Sequence, residues 1–451
     1  MVLTGVSGGV SLARMRAIKA RKYLACGMAA ILAAAGCTSG SGQPAAKRVG
    51  PLITLRVGVY GSPGYRQAGL YAQYERLHPN IRIVQDDAAQ QAGYWQSLLT
   101  GLKSGRDLDD IQAIPMADIA AVTGPLSGDF VALNTLGGVS SGGASEDQGL
   151  PWVAQQAAGS SGRTYALGAE IGPVAVCYRT DLMAEAGLPT SPAVLARDWS
   201  TWAGYLRLGR EFKAHIPVGP AFTDSVSSLY NAMVGQSAQQ YYSPSGRLVV
   251  SGNPAIKSAW TTAVTAAQDG LSAKLVPQSA GWDQGVTRAS FATVICPASM
   301  LRQISSLAGP VGSGQWNVTT APGRAGNSGG FYLAIPKASA HQRAAFQLAT
   351  FLTGQQAGVT LFRDQGDFPA NRSAVAAVDG VTSPYFSGAQ VGKIFANSAD
   401  RTPAAAVGPA SATIASDVDA DLSQVEIGHV SPGVAWAVAL RQAAAVQAAS
   451  G

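Results

Sequence analysis

The sequence has 451 residues, 47% of them hydrophobic, with 32 Lys+Arg against 26 Asp+Glu and a formal net charge of +6. Five of those cations (Arg14, Arg16, Lys19, Arg21 and Lys22) crowd into one N-terminal stretch, and without them the balance is 27 to 26. The excess belongs to that stretch, no Lys/Arg run interleaves with aromatics, and nucleic-acid binding is excluded as a reading.

After the basic stretch comes YLACGMAAILAAAG, apolar but too short to span a bilayer comfortably, so residues 1–36 read as a signal peptide with Met15 as its start. Gly36-Cys37, followed by TSGSGQPAA, resembles a bacterial lipobox, with Ala34 where that pattern usually has leucine. The resemblance implies lipidation at Cys37 and a tether over 37–51; ordinary cleavage near Ala35 is the alternative. No later segment offers 18 uninterrupted apolar residues. Beyond Cys26 and Cys37 only Cys177 and Cys296 remain, and His78, His215, His341 and His429 lie far apart. That spacing gives no metal site, and no cofactor is expected. An exported chain meets oxidising conditions, which favours a Cys177–Cys296 disulfide; two buried thiols on separate strands are the alternative.

LRVGVYG (55–61) reads as a buried strand ending in the turn Gly61-Ser62-Pro63-Gly64. A helix with Leu70, Tyr74 and Leu77 on one face follows and stops at His78-Pro79. NIRIVQDD is a second strand, with Asp86 and Asp87 at its C-terminal end. Trp95, Leu98, Leu99 and Leu102 then mark an amphipathic helix, and DDIQAIP a third strand. Strands and helices alternating in this way predict βαβ units and a parallel sheet, with ligands beyond the carboxyl ends of the strands.

SSGGASEDQG (140–149) is a polar loop, after which two short apolar strands are expected, broken at Ala169–Pro173. Trp199, Trp202 and Leu206 begin a helix, and FATVICPASML is a strand running into a turn. WNVTTAPG, GGFYLAIPKAS and a helix with Phe346, Leu348, Phe351 and Leu352 restore the α/β alternation. The tail from 376 to 451 is Ala-rich and predicted helical around Trp436.

These pieces, in order over 52–445, resemble the extracellular solute-binding proteins of ABC importers, carbohydrate type, akin to maltose-binding protein. HPNIRIV, DDI opening the third strand, GRTYALGAE with CYRTDLMAEAGLPTSP, APG with NSGGFYLAIPK, and the closing GDFPANRSAV carry the likeness. It implies a two-lobed α/β clamshell with discontinuous lobes and a C-terminal helical segment. Lobe I would be 52–169 and 330–366, and lobe II 170–329 and 367–451. Crossings would fall near Ala169–Pro173, Gly329–Tyr332 and Asp364–Pro369. Two departures stand out. ATVICPASML has Ser299 or Met300 where many members have a tryptophan, and the usual acid after the third strand is displaced to Asp118.

A solute that is a sugar needs fixed acceptors and donors for its hydroxyls and an aromatic ring against its apolar face. The candidates are Tyr60 after the first strand, Asp87 after the second, and Glu170 at a lobe crossing. Trp282 joins them as an expected exposed ring between turn residues, as do Gly329 and Gly330 as close-approach backbone, and Asn371 and Arg372 after Phe368-Pro369. Core packing, surface charge, a hinge salt bridge, an ordinary turn and helix capping are the competing roles. Asp224 and Tyr230 are weaker candidates. Ser328, in GNSGG, also fits a nucleophile-elbow spacing, but no histidine stands in a supporting context, and GVSGG near the N-terminus matches as well.

The expected partners are the solute and the transmembrane subunits of a permease. The chain is expected as a monomer, anchored by lipid to the outer face of the cytoplasmic membrane. An extracellular hydrolase, a binder of a glycerophosphodiester that would lean on Arg372, and a ligand-free cell-wall lipoprotein are the rival readings.

Overall fold

The computed structural model describes residues 50–136 and 149–450, with side chains to 448. The signal-peptide reading, Cys37 and nearly all of the tether lie outside the described residues.

The first strands form because every second residue is apolar and finds cover. In β1 (Ile53–Tyr60), Leu55, Val57 and Val59 are fully buried. β1 pairs in parallel with β2 (Ile81–Ala88) from Ile53↔Ile81 to Tyr60↔Ala88, and with β3 (Ile111–Pro115) on its other side. The chain then builds β4 (Ala166–Pro173), β5 (Ala175–Arg179), β6 (Ala221–Thr223), β7 (Phe291–Cys296), β8 (Trp316–Thr320) and β9 (Asn327–Ala334). Two sheets result, ordered β2-β1-β3-β9-β4 and β6-β7-β5-β8. The chain passes from the first to the second at Val174 and returns over residues 321–326.

Each sheet is covered by helices, and β5 divides its side chains between two cores. Ala175 and Cys177 join the core that runs from the first sheet through Trp282, Phe291 and Trp316. Val176 and Tyr178 face the opposite way, into a core with helices Trp202–His215, Val226–Gly235 and Pro254–Gln268. The C-terminal helices Ser411–Glu426 and Pro432–Ser450 close that second core. Cys177 on β5 and Cys296 at the end of β7 form a disulfide, with Cα atoms 5.6 Å apart.

Three local expectations are corrected. The break at Ala169–Pro173 is instead the second half of β4, accommodated by register shifts against β9. β4 is the edge strand of its sheet, where a proline at the last position removes no needed donor. Helix Gln91–Ser104 buries Tyr94, Leu98 and Gly101, so its inner face is turned from the predicted one and Trp95 is only half-buried. The turn after FATVIC is helix Ala298–Ala308, which places Ser299 and Met300 in its first turn.

Candidate functional site

Because β1, β2 and β3 run parallel, Tyr60, Ala88 and Pro115 end on one edge of the first sheet. Tyr60 is half-buried there, its ring 5.5 Å from Tyr94 and 6.0 Å from Phe331 between centroids. Its hydroxyl donates to the Gly330 carbonyl at 3.3 Å. Burial raises the phenol well above its usual range, and the Glu170 and Asp118 carboxylates add to the effect. Asp87 is exposed and accepts from the Gln85 amide at 2.8 Å. Asp86 pairs with Arg56, whose guanidinium also meets Asp109 at 3.0 Å.

Glu170 is half-buried in β4, and its backbone bridges to Pro369. Ile171 donates to the Phe368 carbonyl at 2.9 Å, so the returning segment lies beside the crossing strand. Burial pushes the Glu170 carboxyl well up and nearby Asp367 pushes it further, while Arg302 and the Ser299 hydroxyl act in the opposite direction. Asp367 is 5% exposed; its Oδ2 accepts the Gly64 N–H at 2.8 Å and its Oδ1 lies 3.9 Å from Arg302 Nη2. The carboxylate therefore ties the turn after β1 to the helix after β7.

Asp118 closes the 3-10 turn Met116–Asp118 that follows β3. It is 4% exposed and, among the described residues, has no hydrogen bond or ion pair through its side chain. Burial alone pushes this carboxyl up to about 7, because desolvation penalises the charged form.

Asn327 stitches the two crossings together. Its Oδ1 accepts the Gly172 N–H at 2.8 Å, and its Nδ2 donates to the Gly329 carbonyl at 2.7 Å. Ser398, on helix Val391–Arg401, donates to the Val174 carbonyl at 3.0 Å and so pins the first passage.

The remaining candidates fall differently. Gly330 has φ +111°, and a Cβ there would overlap the Glu170 carbonyl oxygen, so this glycine serves the approach of β4 to β9. At Gly329 a Cβ would meet nothing within 4 Å. Ser328 Oγ donates to the Gly172 carbonyl at 3.2 Å. Asn371 is 4% exposed and caps helix Arg372–Val378 by accepting the Ala374 N–H at 3.0 Å; Arg372 is exposed at that helix's first position.

Trp282 is a correction. It is fully buried in helix Ala280–Thr287, which Ser279 caps, with its ring 5.8 Å from Phe291 and its indole N–H donated to Asp224 at 3.0 Å. Asp224 and Tyr230 are also fully buried, and burial raises the Asp224 carboxyl to about 7. Asp367 and Arg302 were absent from the candidates, since only the fold brings positions 64, 302 and 367 together.

The sequence model of the bacterial extracellular solute-binding protein family matches residues 69–386. The chain belongs to this family. A solved structure described as an extracellular solute-binding protein of family 1 is 35% identical to this solute-binding protein, with a TM-score of 0.78 over 87% of this chain and 99% of that one. The sugar-binding protein MalE from Xanthomonas citri superposes with a TM-score of 0.70 at 19% identity, covering 88% of this chain and 98% of its own. An ABC transporter associated binding protein from B. animalis subsp. lactis, in complex with beta-1,6-galactobiose, gives 0.71 at 19% identity, covering 86% and 96%. At these lower identities the likeness is one of fold. No curated protein matches the sequence significantly.

Proposed function

We propose that this solute-binding protein captures a sugar or oligosaccharide for an ABC importer and hands it to the membrane permease. The observation that carries the reading is the gathering beside the passage between the sheets of Tyr60, bonded to Gly330 opposite β4, of Glu170 bridged to Pro369, of Asp367 bonded to Gly64, and of the Asp118 turn that Asn327 contacts through Met116. An aromatic ring and buried acceptors are what a sugar's apolar face and hydroxyls require. The names of fold relatives agree: MalE is a sugar-binding protein, and the B. animalis relative is in complex with beta-1,6-galactobiose.

Capture would proceed by closure. A solute seated on one lobe gains contacts from the other only when the lobes meet, so it stabilises the closed state by its extra affinity for that state. Bending would fall where the chain passes between the cores, at Val174, over residues 321–326 and between Ala399 and Ala410. No bond is made or broken in this scheme. Asp87 and Gly329 remain proposed contacts from the rim, and the protein acts as a monomer held outside the cell by lipid at Cys37. Three carboxylates to one guanidinium make the hinge a poor seat for a phosphodiester.

A thermal-shift panel of neutral sugars and phosphodiesters tests the proposal. At least one sugar should raise the melting midpoint by a few degrees at about 100 times its Kd. Stabilisation by a phosphodiester alone, lost in Arg372→Ala, would overturn it.

A further inference from the structure

The hinge carboxylates are not equally provided for. Asp367 lies 3.9 Å from Arg302 and accepts the Gly64 N–H at 2.8 Å, and the Glu170 carboxyl is drawn downward by Arg302 and by the Ser299 hydroxyl. Among the described residues Asp118 has no such partner, although it is only 4% exposed. Its turn packs on the start of β9, on helix Ile119–Thr123 and on helix Ser411–Glu426 of the opposite core. None of those elements carries a lysine or arginine, and Ser411–Glu426 brings Asp417, Asp419, Asp421 and Glu426. Asn327, which accepts the Gly172 N–H at 2.8 Å, also donates to Met116 Sδ at 3.4 Å, so the turn that carries Asp118 lies beside the passage between the sheets.

Resting on the sugar reading, we propose that the solute carries a protonated amino group and that Asp118 takes it as its charge partner, so that the ligand class is a cationic amino sugar. Closing the lobes over an ionised Asp118 strips its remaining water, a cost that a neutral hydroxyl only partly offsets. An ammonium cancels the charge and donates up to three hydrogen bonds to it. Among the described residues no lysine or arginine belongs to the elements packed on the Asp118 turn, so the ligand supplies the cation.

Titration calorimetry at pH 7 on the wild-type protein tests this with matched saccharide trios that differ at one position, as hydroxyl, free amine or N-acetylated amine. The amine should bind about tenfold tighter or more than both neutral members, the ratio of one charge-assisted hydrogen bond to a neutral one. Asp118→Asn should bring the three to within about threefold of one another. Equal or weaker binding of the amine in wild type overturns the proposal and leaves the sugar reading standing. A preference that survives Asp118→Asn overturns it too, since the cation would then sit elsewhere. Failure of every saccharide, charged or neutral, removes the sugar reading and this proposal with it.

Discussion

At Gly330 the backbone sits at φ +111°, with the Glu170 carbonyl where a side chain would begin; at Gly329, one residue earlier, a Cβ points into open space. The two glycines therefore separate a structural demand from a candidate ligand contact. Gly330→Ala should destabilise the protein by about 2–4 kcal/mol through combined strain and overlap. Gly329→Ala should stay within about 1 kcal/mol of wild type, so that any loss of solute affinity there reports the binding surface. Thermal melting midpoints read both; equal losses would contradict this division. The placement of three candidates was legible at this scale, and for a simple reason. Tyr60, Asp87 and Glu170 stand at strand ends or at a strand crossing, positions that local pattern marks. Asp367 and Arg302 were not legible, because their relation to Glu170 and Gly64 exists only after the chain has folded back on itself. Trp282 misled because GWDQG, with a glycine at each end, resembles a turn, whereas Ser279 caps a short helix that carries the ring inward.

Among the elements, β1, β2 and β3 were readable from their apolar runs and the turn residues that punctuate them, whereas period found helices Leu70–Leu77 and Gln91–Ser104 but not all of their inner faces: Leu77 is 63% exposed, and Tyr94 rather than Trp95 is buried. β4 was not readable. Gly172 and Pro173 look like a break, but an edge strand with a bulged register tolerates both. β5 matters more than its five residues suggest, because its alternate side chains serve both cores and Cys177 fastens it to β7. The bridge closes a loop with a sequence separation of 119 residues, so it removes a large share of unfolded-chain freedom. The double variant Cys177→Ala/Cys296→Ala should lose about 2–5 kcal/mol of stability, read as a lower melting midpoint. Since both sulfurs are fully buried, the native protein should keep its midpoint during brief exposure to a mild reductant. An unchanged midpoint in the double variant would mean that the β5–β7 pairing alone holds the second sheet.

For the whole molecule, two sheets meet at a junction where the bridge between Glu170 and Pro369 and the buried Asp367 lie side by side. Ser398, Asn327 and the Asp367–Gly64 bond hold that junction in register. The order of pieces along the chain carried this architecture in the sequence; the start of β9 did not show, because the strand begins at Asn327, ahead of the glycines that marked it. Small-angle X-ray scattering on the mature chain, with and without the saccharide that most raises its melting midpoint, tests closure directly. A smaller radius of gyration at saturation is expected. An envelope that stays the same while the solute is bound would contradict capture by closing lobes.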